Sequence, residues 1–283
     1  MANLFLTDVC NRQCPYCFAR SAMGGVDGTA GARYLSLPDA VRAADLLIAS
    51  RVARVGLLGG EPTLHPAFVD LCRYLLARRL HVTVFTNGLT APATLAALAA
   101  IAPEQPLTFV VNVNDPAITP PAEQERQRTF LTTLGARCEI SLNLYRLDLD
   151  PSFAAELGER CGTSRRIRLG LAQPMVEAEN QFLDAGAYRE AAARVVTLVE
   201  AAFAHGGSVH LWACFPLARH RHIPLTAASR IDDLHRQFQE ALDATRRERG
   251  AWGVFPACAA CAYRAAGRCA GGCLAHALRL APP

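Results

Sequence analysis

The chain of 283 residues is 51% hydrophobic, which is enough apolar material for one large domain with a small appendage. Its formal net charge is only +4, and its basic residues are scattered along the whole chain, which excludes a dedicated nucleic-acid-binding stripe. All 29 basic residues are arginine, so any mechanism that needs a Schiff-base lysine is also excluded.

Apolar runs of strand length alternate with helical patterns along most of the chain, which predicts a parallel α/β domain. We predict strands near residues 3–9, 53–58, 81–86, 107–113, 138–145 and 166–171. We predict helices near residues 38–50, 66–79, 91–100, 122–134, 151–161 and 184–204. These elements make six βα units, whereas a closed barrel of this type has eight.

Three cysteines follow the first predicted strand with the spacing C-x3-C-x2-C: Cys10, Cys14 and Cys17. Three thiolates on one short loop suit three irons of a [4Fe–4S] cube and leave the fourth iron open, whereas electron-transfer clusters fill all four positions. An open iron is a place where another molecule can bind. The alternative is a zinc knuckle or a set of buried thiols, but zinc needs a fourth nearby ligand and the next histidine is His65.

Small and polar residues end the next predicted strands. The second strand ends in Gly59, Gly60 and Glu61, where glycines allow the backbone to approach a ligand and an acidic side chain can pair with an ammonium group. The third strand ends in Thr86-Asn87-Gly88. The fourth and fifth strands carry Asn112 and Asn143, which either contact a ligand at the strand ends or hydrogen-bond the loops there.

A second group of cysteines lies near the end of the chain with the spacing C-x2-C-x7-C-x3-C, and one more precedes it: Cys258, Cys261, Cys269, Cys273 and the upstream Cys214. The two-residue spacer lets the first two sulfurs face one metal. One [4Fe–4S] cluster needs at most four thiolates, so these five predict one further cluster. Tetrahedral zinc bound by the same tail remains the alternative.

Taken together and in this order, the motifs resemble those of the radical S-adenosylmethionine (radical SAM) superfamily. The cysteine run resembles its cluster loop, residues 59–61 its GGE motif, and residues 86–88 a strip near SAM in part of the family. The resemblance implies an open partial (βα)6 TIM-like barrel. It also implies that a [4Fe–4S] cluster and SAM contact Cys10, Cys14, Cys17, Tyr16, Gly59, Gly60, Glu61, Thr86, Asn87, Asn112 and Asn143.

The cysteine-rich tail resembles the SPASM and twitch extensions that carry auxiliary iron–sulfur clusters in this superfamily. A full SPASM domain holds two clusters and needs more than the five cysteines present here, so we expect one auxiliary [4Fe–4S] cluster. Which four of the five cysteines bind it is left open. The chain then divides into a radical SAM barrel over residues 1–205 and an auxiliary-cluster domain over residues 206–283.

The resemblance implies a radical SAM oxidoreductase or maturase that cleaves SAM to a 5′-deoxyadenosyl radical and removes a substrate hydrogen atom. Family frequency favours oxidative modification or crosslinking of a peptide or protein side chain. The alternative substrate is a small polar metabolite such as a sugar, nucleotide or amino acid. A non-catalytic iron–sulfur electron carrier is a third hypothesis, but a carrier needs no SAM-binding strips.

The expected partners and location follow from the same reasoning. Besides SAM and its substrate, the enzyme needs an electron donor such as flavodoxin or ferredoxin. A separate leader-peptide-binding protein is a further candidate partner for a peptide substrate. We expect no membrane contact, since no apolar run reaches the roughly 18 residues of a span. Cysteines grouped at metal-ligand spacings, with no export signal recognised, predict reduced thiols in the cytoplasm.

Overall fold

One eight-stranded sheet organises the protein, seen in a computed structural model that describes residues 2–17, 34–49, 52–171, 185–204, 206–213 and 221–225. The strands follow one another in sequence order. They are β1 (Ala2–Phe5), β2 (Arg54–Leu58), β3 (His81–Thr86), β4 (Leu107–Val113), β5 (Cys138–Leu144), β6 (Arg166–Leu171), β7 (Ser208–Ala213) and β8 (Arg221–Leu225). β1 to β7 are parallel, and β8 is antiparallel to β7.

A helix follows each of the first six strands and returns the chain to the start of the next. The helices are α1 (Leu37–Ala49), α2 (Phe68–Ala77), α3 (Pro92–Ala99), α4 (Pro121–Leu134), α5 (Phe153–Arg160) and α6 (Ala185–Ala204). Prolines begin α3 and α4, at positions where the missing N–H would have had no partner within the helix. The six predicted βα units are therefore confirmed.

The sheet extends further than the sequence predicts. β7 joins it in parallel with β6 although β7 follows residue 205, where we predict the second domain to begin. The turn before it is tight: Gly206 has φ +66°, and a Cβ on Gly207 would lie 2.6 Å from the carbonyl oxygen of Arg165. The predicted division at residue 205 stays a prediction, because most of the chain beyond it lies outside the described residues.

The sheet is an unclosed partial barrel. Among the described strands, β1 pairs only with β2 and β8 only with β7. The guanidinium of Arg168 on β6 nevertheless lies over the ring of Phe85 on β3, 5.0 Å from its centroid. These strands are not neighbours, so the contact crosses the concave face of a curved sheet.

The two faces of the sheet differ in chemistry because side chains alternate along each strand. The convex face is apolar and packs beneath the helices; Val84, Phe109 and Ile140 on it are fully buried. The concave face is partly open and carries polar side chains such as Thr83 and Thr108. A parallel sheet of this kind presents ligand sites at the carboxyl ends of its strands.

Three lone cysteines lie in the apolar core. Cys72, Cys138 and Cys161 are buried among the apolar side chains of the helices and strands that carry them. Burial raises the pKa of the Cys72 and Cys138 thiols to about 12 in each case, so both are neutral at physiological pH. None of the helices in the described part of the chain is both long and apolar enough to cross a membrane.

Candidate functional site

The cysteine loop, residues 6–17, leaves β1 and runs along the end of β2. Two short hydrogen bonds hold its backbone there: the amide of Gly60 donates to the carbonyl of Thr7, and the amide of Glu61 donates to that of Val9, each at 2.7 Å. The backbone at the end of β2 is therefore hydrogen-bonded directly to the backbone of the cysteine loop.

Gly59 and Gly60 are required by this close approach. A Cβ on Gly59 would lie 2.5 Å from the carbonyl oxygen of Thr7. A Cβ on Gly60 would overlap the carbonyl of Val9 and come within 3.0 Å of the Cβ of Cys10. The glycines thus admit the backbone of the cysteine loop, and their predicted contact with SAM stays a prediction.

Cys10, Cys14 and Cys17 form no disulfide bonds and are partly exposed. Burial raises the pKa of Cys10 to about 12. Burial also raises the pKa of Cys14, against the lowering effect of the positive charge of Arg12. Because metal ligation needs thiolates, binding iron at these two cysteines would release protons.

Two asparagines that follow neighbouring strands donate hydrogen bonds towards the sulfurs. Asn87, after β3, places its amide nitrogen 3.9 Å from the Sγ of Cys10, and Asn114, after β4, does the same at Cys14. Amide donors stabilise negative charge on sulfur, and hydrogen bonds to sulfur help to set the potential of an iron–sulfur cluster. The donor set therefore fits such a cluster.

A single metal ion fits the loop less well. Across the described ranges, no group of three Cys, His, Asp or Glu side chains is arranged so that it could hold one ion. The zinc knuckle that the spacing leaves open would need such a convergent, tetrahedral arrangement. A cube, in which each thiolate binds its own iron, needs no common point.

Tyr16 joins the cysteine loop to the ends of β4 and β5. Its buried hydroxyl donates to Asn114 Oδ1 and accepts from the amide of Asn112. Asn143 in turn donates to Asn112 Oδ1 at 2.8 Å, and the ring of Tyr16 packs 4.8 Å from that of Tyr145. Burial raises the pKa of Tyr16 well above its ordinary value, so the phenol stays neutral and donates.

Glu61 is the centre of a second network. Its carboxylate is only 1% exposed and accepts from the amide and hydroxyl of Thr63, the hydroxyl of Thr86 and the amide of Asn87, at 2.7–3.1 Å. Burial raises the pKa of Glu61, and these hydrogen bonds oppose that rise. Glu61 also caps the short 3-10 helix Pro62–Leu64 by accepting from the amide of Thr63. Its contact with a SAM ammonium stays a prediction.

The predicted cofactor-binding residues therefore fall into two networks that both touch the cysteine loop. One contains Tyr16, Asn112 and Asn143, and the other contains Gly59, Gly60, Glu61, Thr86 and Asn87. The link between them is direct, since Gln127 on α4 donates to the backbone carbonyls of Asn87 at 2.6 Å and Asn112 at 3.0 Å.

Sequence reasoning missed an ion pair at the cysteine loop. The side chain of Arg12 is 5% exposed and meets Glu123, in the first turn of α4, with its Nη2 2.7 Å from Oε2. The Nε of Arg12 donates to the same oxygen at 2.9 Å. The spacing of Glu123 and Gln127 puts both on one face of α4, but it gives no signal for a contact with Arg12.

The chain is also fixed where it returns to the sheet before α1. The amide of Leu35 donates to the carbonyl of Leu6 at 2.8 Å. His65 accepts from the amide of Ala67 through Nδ1, so its Nε2 carries the proton and donates to the carbonyl of Leu35 at 2.6 Å. The Gly-rich stretch of residues 21–32 lies outside the described residues.

The auxiliary-cluster site cannot be placed beside these networks. All five cysteines predicted for it, Cys214, Cys258, Cys261, Cys269 and Cys273, lie outside the described residues. The auxiliary cluster and its ligand set therefore stay predictions.

Fold and site define an α/β partial barrel with a three-cysteine cluster loop at the carboxyl ends of its strands. Residues 4–117 match the model of the Radical SAM superfamily. Over that stretch, the resemblance seen in the motifs of the chain is confirmed for that superfamily.

Individual relatives match parts of the chain. Mitochondrial GTP 3′,8-cyclase of Arabidopsis thaliana is 33% identical over 87 residues, which are 30% of this chain and 22% of the cyclase. The structure of Streptococcus suis SuiB bound to S-adenosylmethionine superposes with a TM-score of 0.58 at 14% identity, over 76% of this chain and 50% of SuiB. TYW1 with a lysine-pyruvate adduct superposes with a TM-score of 0.50 at 14% identity, over 80% of each chain.

These matches have different weight. The chain spans about half the length of SuiB and matches less than a quarter of the cyclase. The two superpositions, at 14% identity, establish the fold alone.

Proposed function

We propose that the protein is a radical SAM enzyme that oxidatively modifies or crosslinks a side chain of a peptide or protein. When bound, the [4Fe–4S] cluster supplies the electron that cleaves SAM to methionine and a 5′-deoxyadenosyl radical, which removes a hydrogen atom from the substrate. The observation that carries the proposal is the cysteine loop itself: three thiols that form no disulfide, with amide donors aimed at two of them, in the stretch that matches the radical SAM model.

The chain's own residues would bind and orient the cofactors. Cys10, Cys14 and Cys17 would hold three irons and leave one for SAM. The network around Tyr16 ties the loop to the ends of β4 and β5, and the network around Glu61 ties the ends of β2 and β3 together. Both fix the mouth of the barrel before ligand binds, which reduces the entropic cost of ordering it.

The peptide substrate is supported by analogy of fold. SuiB, which superposes on most of this chain, has also been solved bound to the precursor peptide SuiA. A partial barrel that stays open at its edges can admit an extended chain. A flavodoxin or ferredoxin as electron donor, a separate leader-peptide-binding protein and the auxiliary cluster belong to this proposal, as does a cytoplasmic location.

A small polar metabolite is the second candidate. The concave face carries hydroxyl side chains and the charged Arg168, groups that suit a polar, anionic substrate. The cyclase relative is named for such a molecule, GTP. A non-catalytic electron carrier is less well supported, because in the described part of the chain the remaining cysteines, Cys72, Cys138 and Cys161, are buried in the core and offer no fourth ligand.

Anaerobic reconstitution with iron and sulfide, followed by SAM and dithionite, tests the proposal. The protein is expected to form 5′-deoxyadenosine, measured by mass spectrometry, and Cys14→Ala is expected to form none. Cys72→Ala is the matched control, since it removes a buried core thiol and leaves the loop intact. A protein that carries its cluster but forms no 5′-deoxyadenosine contradicts the proposal. Candidate peptides are then scanned for loss of two hydrogens.

A further inference from the structure

Arg12 places a permanent positive charge inside the cysteine loop. It lies between Cys10 and Cys14 in the sequence, and its side chain is 5% exposed. A guanidinium cannot be deprotonated in a protein, so this charge is present at every working pH. Its Nη1 also approaches the carbonyl oxygen of Asn112 at 3.5 Å.

Glu123 holds this charge in place without fully cancelling it. An isolated buried guanidinium is costly, and its pairing with a carboxylate offsets the loss of hydration. The two partners are not equally buried, since the side chain of Glu123 is 29% exposed. Water screens the carboxylate more than the guanidinium, so this ion pair contributes net positive charge to the loop.

We propose that the positive charge of Arg12 raises the reduction potential of the [4Fe–4S] cluster bound by the cysteine loop, and that Glu123 moderates this effect. The inference rests on the proposed function. Reduction adds one electron, from a flavodoxin-like or ferredoxin-like donor or from dithionite, and so adds one negative charge to the cluster. A nearby fixed cation stabilises the charged product, and net charge around a cluster is one of the factors that set its potential.

A purely mechanical role for the ion pair makes a different prediction. The pair joins the loop to α4 across 111 residues of sequence, so it also anchors the loop. If anchoring were its only role, removing either partner would loosen the loop in the same way. If its charge matters, removing the cation and removing the anion have opposite effects on the potential.

The test is a redox titration of the reconstituted full-length protein, followed by electron paramagnetic resonance without SAM. The signal of the loop cluster is identified as the one that Cys14→Ala removes. Arg12→Met is expected to shift its midpoint to more negative potential, and Glu123→Gln to more positive potential. The double variant is expected to fall between them. Matched controls are Arg128→Met and Glu125→Gln, an exposed ion pair on the same helix, which are expected to leave the midpoint unchanged.

Each result decides the matter. Opposite shifts support the electrostatic role, whereas shifts of the same sign, or none beyond the controls, overturn it. If Arg12→Met takes up no cluster, Glu123→Gln is compared with Arg12→Lys, which keeps the charge but loses the planar guanidinium that anchors the loop. A positive shift in Glu123→Gln with Arg12→Lys close to wild type supports the electrostatic role, and a shift of the same sign and size in both overturns it. A wild-type protein that binds no cluster at the loop would instead refute the proposed function.

Discussion

At the scale of single residues, the site depends on side chains whose hydrogen-bonding capacity is nearly filled by the protein itself. Glu61 accepts four hydrogen bonds, and Asn87 donates to Asn11 in the cysteine loop and accepts from the amide of Leu89. Motif reasoning assigns these residues to SAM. The structure adds that they first hold together the strand ends on which any SAM site must be built.

Glu61→Gln is expected to destabilise the protein. The NH2 group of the new side chain must face a backbone N–H, that of Asn87 or that of Thr63, so at least one buried donor loses its acceptor at a cost of about 1–3 kcal/mol. Chemical denaturation measures this cost. Glu104→Gln, at an exposed position, is the control. Unchanged stability would contradict the network, while SAM affinity measured on the same variant separately tests the predicted ammonium contact.

Gly60→Ala is expected to displace the cysteine loop, because the added Cβ overlaps the carbonyl of Val9. Overpacking of this kind costs about 1–3 kcal/mol, and here it falls directly beside Cys10. Iron uptake on reconstitution should drop together with stability. Gly162→Ala is the control. The φ of +63° at Gly162 makes this substitution strained, but its added Cβ would have no atom within 4 Å. Normal iron uptake by Gly60→Ala would show that the loop does not depend on this contact.

At the scale of elements, α4 connects the parts of the site. Its first turns supply Glu123 to the cysteine loop and Gln127 to the strand ends, while Phe130, Leu131 and Leu134 fix it in the core. A helix anchored by apolar residues thus delivers polar groups with little freedom.

Gln127→Ala is expected to lower the unfolding free energy by about 1–3 kcal/mol, because the buried backbone carbonyls of Asn87 and Asn112 both lose a donor. Arg128→Ala, one position along and exposed, is expected to change it by less than about 0.5 kcal/mol. Thermal or denaturant unfolding measures both. Equal effects for the two variants would contradict the bridging role of Gln127.

Much of this level could be predicted from the sequence, because the βα units have buried, strongly periodic strands and the motifs fall at strand ends. The ion pair between Arg12 and Glu123 could not, since its partners are 111 residues apart and each looks like a solvated surface charge in its own segment. The sequence analysis also does not predict β7. Val209 and Leu211 alternate with His210 and Trp212, which is an ordinary strand pattern. Because this segment lies next to the cysteine-rich region, we predict it to belong to the second domain.

At the scale of the whole molecule, we expect two iron–sulfur clusters in one chain. Anaerobically prepared protein should contain about eight irons, as two cubes held by cysteine. Replacing Cys10, Cys14 and Cys17 together with alanine should leave about four, because the tail cysteines are untouched. Iron and zinc analysis measures both. A wild-type iron content near four, with zinc in addition, would contradict the auxiliary cluster and favour a zinc-binding tail.

The central claim is that the cysteine loop holds a cluster with one iron open to SAM. Electron–nuclear double resonance on the reduced protein, with SAM labelled with 15N at its amino group, tests this most directly. We predict a coupling between the labelled nitrogen and the electron spin of the loop cluster, identified as the one whose signal Cys14→Ala removes. A normal loop-cluster signal that shows no such coupling at saturating SAM would contradict it.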